Sequence, residues 1–223
     1  MTFSLIARCP ATRQFGMVIA SSSPAVAARC AHVRARVGAV ASQNITDPGL
    51  GPKTLDLLAQ GASAQSALAE IIATNPDIDY RQLLVIDDKG ETAVHSGRHI
   101  LGRWGHCTGT DCASGGNLLA HEDVPGAMVA AFTTATTDFG TRLMAALTAG
   151  LAAGGEAGPV HSAGLKIADK LDWPLVDLRV DWSDTPIADL QAVWQIYRPQ
   201  TADYVQRATN PGQAPGYGVP GDI

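Results

Sequence analysis

A chain of 223 residues with 46% apolar and 17% charged side chains is long enough to bury a full core, and its balance excludes a disordered or membrane-spanning protein. A formal charge of −5 argues against nucleic acid or an anionic membrane as partner. The opening lacks the basic flank and apolar core of an export signal, so the expected compartment is the cytoplasm and the four cysteines are expected as reduced thiols.

In chain order, "TFSLIARC" and "FGMVIASS" are apolar runs of strand length around the turn-prone "PATRQ", which predicts an antiparallel hairpin. "SPAVAARCAHV" reads as a short helix, "RVGAVASQ" as a third strand and "NITDPGLG" as a loop. Helices are expected over 52–60 and 63–74, the second capped by Ser63. "QLLVIDDKGETAVHSG" predicts a second hairpin turning at Asp88, Lys89 and Gly90. After "GHCTGTDCASGGNLLA" come two helices, "DVPGAMVAAFTTA" and "FGTRLMAALTAGLAAG", then strands "VHSAGLKIA" and "PLVDLRVDW" and a helix "TPIADLQAVWQIYR". Residues 1–198 form the expected domain, and 199–223, rich in Pro and Gly, an extended tail. The first connection, of about five residues, is too short for a parallel crossover. The expected class is therefore α/β in the α+β sense, with antiparallel sheets stacked between helix layers.

If the first hairpin turns near Thr12, paired positions sum to about 24 and Thr2 faces Ser22, within a residue or two, with Ser21 and Ser23 beside it. Thr2 is small enough for a preceding Met to be removed. A freed Thr2 then carries a nucleophilic hydroxyl and a base, its α-amine of reference pKa about 7.7–8.0, on one residue. The serines can orient that amine, or Ser before Pro can be a helix cap.

The blocks "MTFSLIARCPATRQFGMVIASSSPAVAARCA", "RVGAVASQNITDPGLGPKTLDLLAQGASAQSAL", "RQLLVIDDKGETAVHSG", "GHCTGTDCASGGNLLA", "GGEAGPVHSAGLKI" and "DLRVDW" occur in an order and spacing that resemble the bacterial domain of unknown function ten twenty-eight family. The resemblance runs from Thr2 to about Tyr197. It implies membership of the N-terminal nucleophile hydrolases, a four-layer αββα sandwich, amide-bond hydrolysis and Thr2 as nucleophile. Many members carry "QSK" and two aromatic residues where this chain has Ala20, Ser21, Ser22, Ser23 and Pro24, which leaves serines to orient the amine.

Other polar residues complete the expected site. Gln43 and Asn44, at the end of the third strand, either hold a substrate carboxylate or amide or satisfy the "TDPG" turn. "GGN" at Gly115, Gly116 and Asn117 suits an oxyanion site, with Asn117 as donor, or a strand-to-helix turn. His95, His106 and His161 are expected as pocket lining. The cysteines and histidines around them match no familiar zinc spacing, so no metal and no cofactor are expected. The resulting expectation is a cytoplasmic, homo-oligomeric amidohydrolase acting on a small linear or cyclic amide through an acyl ester, with Thr2, Ser22 and Asn117 catalytic. The competing readings are a binding or assembly protein on the same fold, or a zinc hydrolase using His95 and His106.

Overall fold

The computed structural model describes residues 1–219. The chain begins with β1 (Thr2–Arg8), β2 (Phe15–Ser21), the short helix α1 (Val26–Cys30), β3 (Ala31–Arg34) and β4 (Gly38–Asn44). Helices α2 (Leu50–Ala59) and α3 (Ala64–Thr74) lead to β5 (Arg81–Ile86), β6 (Thr92–Ser96), β7 (Gly105–Gly109) and β8 (Cys112–Asn117). The remainder is α4 (Val124–Thr134), α5 (Phe139–Ala152), β9 (Ser162–Ala168), β10 (Val176–Val180), α6 (Pro186–Tyr197) and α7 (Thr201–Thr209).

All ladders are antiparallel, in a six-stranded sheet ordered β10-β9-β2-β1-β8-β7 and a four-stranded sheet ordered β3-β4-β5-β6. β1 and β2 are buried along almost their whole length because both faces of their sheet are covered. Phe3, Leu5 and Ala7 join Met128 and Phe132 of α4, Leu143 and Leu147 of α5, and Leu190 and Trp194 of α6 in one cluster. Ile6, Met17 and Ile19, on the other face, meet Ala39, Ala41, Leu84 and Ile86 of the second sheet. The far side of that sheet, with Val40, Leu83 and Val85, packs on Leu55, Leu58, Leu68 and Ile71 of α2 and α3. The order of layers is thus helix, sheet, sheet, helix, as expected.

Two local devices fix this arrangement. A Cβ on Gly16 of β2 would lie 2.7 Å from a Leu143 methyl and 2.9 Å from the Phe139 ring, so glycine here lets α5 settle onto the sheet. The buried Asp87 ties a turn to a helix start: one carboxylate oxygen accepts from the Lys89 and Glu91 backbone N–H groups at 3.0 Å each, the other from Ala64 N–H at 2.9 Å. Ser63 caps α3 as expected, accepting from Ser66 N–H at 3.2 Å.

Three local expectations are corrected. The predicted helix through "SPAVAARCAHV" stops at Cys30, and Ala31–Arg34 form β3, because the second sheet supplies a ladder partner in β4. The first hairpin pairs Phe3 with Ala20, so its positions sum to 23, and Thr2 comes level with Ser21 rather than Ser22. The connection is closed by Cys9 N–H to Gln14 O and Arg13 N–H to Cys9 O, both 2.8 Å, with Arg13 in the left-handed region at φ 62°. In the segment 199–223, expected as extended, Thr201–Thr209 form α7, braced by stacking of Tyr197 on Tyr204. The last positions of that segment, 220–223, lie outside the described residues. No helix among the described residues is long and apolar enough to cross a membrane.

Candidate active site

At one end of the six-stranded sheet the side chains facing the second sheet turn polar. Thr2 on β1 lies opposite Asn117 on β8, and Ser21 on β2 lies opposite Ser162 on β9. The β1/β2 register sets Thr2 level with Ser21. Directly paired residues of antiparallel strands point to the same face. Asn117, Thr2, Ser21 and Ser162 therefore form one row across four strands, and all four are buried.

Met1 sits over this row. Its carbonyl oxygen accepts hydrogen bonds from the Thr2 hydroxyl and the Ser21 hydroxyl. Ser21 Oγ in turn accepts from Ser23 N–H at 3.0 Å, which aims its own proton at the carbonyl. Ser162 holds the chain after β2, donating to Ser23 O at 2.6 Å and accepting from Val26 N–H at 3.2 Å.

Asn117 belongs to a buried network that joins the two sheets. Ser4 Oγ donates to Gln43 Oε1 at 2.8 Å, and Gln43 Nε2 donates to Gln82 Oε1 at 2.9 Å. Asn117 Nδ2 donates to the same Gln82 oxygen at 3.3 Å. Gln82 Nε2 faces the acceptors Gly116 O and Ser96 Oγ, each at 3.2 Å, so its oxygen must be the atom turned to Asn117. This leaves Asn117 Oδ1 buried without a partner. The sequence reading makes Asn117 a donor to an oxyanion, but the open atom is an acceptor. It is suited to an ammonium or amine N–H. Nor is "GGN" a turn: Gly115, Gly116 and Asn117 are ladder residues of β8.

Ser22 falls outside the row because the register differs by one. Its backbone N–H instead donates to both carboxylate oxygens of Glu156, at 3.1 Å each. Glu156 is 4% exposed. It lies in the "GGEAGP" loop, which figures in the sequence only as part of a family block. The one signal available there is an acid among glycines and apolar residues between two core elements.

Burial pushes the Glu156 carboxyl up to about 7, with the Met1 ammonium, the Ser22 donors and His161 pulling in the opposite direction. The unfolded carboxyl titrates near 4.5, so between these values the folded chain holds a proton the unfolded chain has lost. Its contribution is full below about pH 4.5 and is lost as pH rises through about 7. We therefore expect the stability difference between wild type and Glu156→Gln to change by about 3 kcal/mol across this interval, wild type losing as pH rises. Urea melts at half-unit pH steps measure it, and parallel curves would contradict it.

The remaining expected residues divide. The His161 backbone N–H donates to Ser21 O at 2.9 Å, and its ring stacks 4.3 Å from the exposed Trp182 with Nδ1 3.0 Å from Ser183 O, placing it beside the row. Gln43 lies beneath the row in the network. Asn44, at φ 74°, bonds Tyr80 O at 2.7 Å and Leu101 N–H at 3.2 Å, so its amide is spent on loops. His95 pairs with Leu83, whose side chain packs under α2 and α3, and its Nε2 lies 3.1 Å from Ile78 O; it faces away from Thr2. His106 is exposed on the edge strand β7. Among the described residues no group of three or more His, Cys, Asp or Glu is placed to hold a metal ion.

A family model described as "Family of unknown function (DUF1028)" matches residues 2–190. The chain belongs to this family. The match begins at Thr2 and ends within α6, so it takes in the whole polar row and Glu156. The crystal structure of a family protein from Silicibacter pomeroyi superposes with a TM-score of 0.86 at 29% identity, covering 92% of this chain and 90% of that one. The two share one fold over nearly their full lengths. Anbu (ancestral beta-subunit) from Yersinia bercovieri aligns over 92% of this chain and 97% of its own, with 12% identity and a TM-score of 0.39, a likeness too slight to bear on activity. No curated protein matches the chain.

Proposed function

We propose that this member of the family is an N-terminal-threonine amidohydrolase, cleaving a carbon–nitrogen bond other than a peptide bond in a small linear or cyclic amide. One observation carries the reading. Two hydroxyls, Thr2 Oγ1 and Ser21 Oγ, converge on a single carbonyl oxygen at the buried end of a central strand. A substrate carbonyl in that position would have a nucleophile and an oxyanion donor already in place.

Once the bond between Met1 and Thr2 is cut, the Thr2 α-amine takes the proton of its own hydroxyl as Oγ1 attacks the substrate carbonyl carbon. Ser21 Oγ–H stabilises the oxyanion, and Asn117 Oδ1 accepts from the new ammonium. The ammonium passes a proton to the leaving nitrogen as the C–N bond breaks, giving an acyl ester on Thr2. The amine then deprotonates water, which attacks the ester, and Thr2 Oγ1 leaves and recovers its proton. This scheme is that of the N-terminal nucleophile hydrolases, the group implied by the opening sequence. The proposal keeps the cytoplasm, a small-molecule partner and a homo-oligomer as its setting.

The test is the intact mass of purified active protein, set against protein carrying one extra residue fused before Thr2. We expect the active form to lack Met1 and the extended form to be inactive, because acylating the amine removes the base. Full activity in protein that retains Met1 would reject the scheme in favour of a binding or assembly role.

A further inference from the structure

Met1 is more than a cap, because each of its parts meets a different feature of the site. Its carbonyl oxygen is held by the Thr2 and Ser21 hydroxyls, where the proposed reaction places the substrate carbonyl. Next along the chain from Ser21, the Ser22 N–H fixes both oxygens of Glu156, a carboxylate that is 4% exposed and whose charged form the Met1 ammonium favours. Its terminal methyl lies towards Gly158, where an added Cβ would be 3.7 Å from Met1 Cε. Glu156 is itself held in register by an antiparallel bridge to Leu119, next to β8. The mechanism above makes no use of this carboxylate. Burying a carboxylate is expensive unless it is paired, and its backbone partners alone do not explain why an acid rather than a neutral acceptor occupies the position.

We infer that the space vacated by Met1 is the acyl subsite, and that it takes an α-aminoacyl group with a free ammonium and an unbranched apolar side chain. The inference rests on the proposed function and narrows its substrate class to amides of amino acids. Glu156 recognises the ammonium, Ser21 and Thr2 the carbonyl, and the surface near Gly158 the end of the side chain. A methyl group in place of Gly158 hydrogen would still stand at ordinary van der Waals distance from a methionine-length chain. The subsite therefore accommodates a side chain of this length without strain.

The experiment uses full-length protein whose mass shows that Met1 is gone. Calorimetric titration compares L-methionine with 4-(methylthio)butanoate, which has the same skeleton without the amine. We expect methionine to bind at least tenfold more tightly, and Glu156→Gln to bring the two within threefold of each other while its circular dichroism and melting remain cooperative. Glu156→Asp, which keeps the charge, should restore part of the preference. Equal binding of the two compounds by wild type, binding of neither, or an undiminished preference in Glu156→Gln would each overturn the inference. In parallel, hydrolysis of methionine p-nitroanilide is followed in wild type and Thr2→Ala. Amine-dependent binding without any Thr2-dependent hydrolysis would reject the amidohydrolase reading and leave an amino-acid site. Thr2-dependent hydrolysis indifferent to the amine would do the reverse.

Discussion

Replacing Thr2 by alanine should lower kcat by about 10³-fold or more while leaving the fold in place. Position two of the mutant is still small enough for Met1 to be removed, so the amine is freed as in wild type. Alanine keeps the ladder bonds of β1 and loses the γ-methyl and the hydroxyl, whose hydrogen bond goes to the residue that leaves. Thr2→Ser retains the nucleophile and should remain within about tenfold of wild type. Single-turnover assays with mass detection of the acyl ester separate the outcomes: we expect an ester on the second residue in wild type and in Thr2→Ser, and none in Thr2→Ala. Undiminished turnover in Thr2→Ala would remove this residue from the chemistry.

The second large effect is expected at Gln82, which lies outside the reacting groups. Gln82→Leu keeps the side chain's approximate volume but strands Gln43 Nε2, Asn117 Nδ2, Ser96 Oγ and Gly116 O between the sheets. Each stranded buried group costs about 1–3 kcal/mol, and repacking recovers part of the sum, so a loss of about 3–5 kcal/mol is expected. For a chain of this size that corresponds to a melting temperature lower by roughly 10 °C. Activity should fall further than stability accounts for, since Asn117 then has nothing to hold its amide inward. Gln82→Glu replaces the donor by a carboxylate facing Gly116 O and should be no better tolerated. A melt within about 2 °C of wild type for Gln82→Leu would show that the network contributes little.

The fold was largely legible because its signals are local. Strand-length apolar runs flanking "PATRQ" and "DDKG" could be little other than hairpins, and the near-continuous apolar strands pointed to sheets covered on both faces. β3 was hidden because "VAARCAHV" is good helix composition, and only the partner strand β4 draws its last residues into a ladder. The one-residue error in the first hairpin had the largest consequence for the site. It arose from the left-handed Arg13 in a connection whose residues do not announce their conformation, and it exchanged Ser22 for Ser21 as the neighbour of Thr2.

The site was legible only in part, for a related reason. Thr2, Ser21 and Asn117 lie on the strand face that turns towards the second sheet and Gln43 on the face of that sheet turned back to them, and strand parity gave the first three a common side once the register was known. His95 sits on a strand of the same sandwich with the opposite parity, and no pattern in "TAVHSG" says which face is which. That the open amide atom of Asn117 is an acceptor rather than a donor depends on Gln82, thirty-five positions away, through a hydrogen bond that composition does not foretell. Glu156 comes from a loop, where periodicity is silent.

β1 is a central strand, with β2 on one side and β8 on the other. Thr2–Arg8 therefore cannot be closed in on both sides until Cys112–Asn117 have been made. At ordinary rates of synthesis this delay is on the order of ten seconds. During it Thr2 lacks its ladder partner Asn117. Afterwards the bond ahead of Thr2 lies at the end of a buried row of side chains. Under the proposed function the architecture thus imposes a deadline: a chain that closes its sheet before being trimmed keeps the Thr2 amine acylated, and the fraction of such chains should rise when translation outpaces processing.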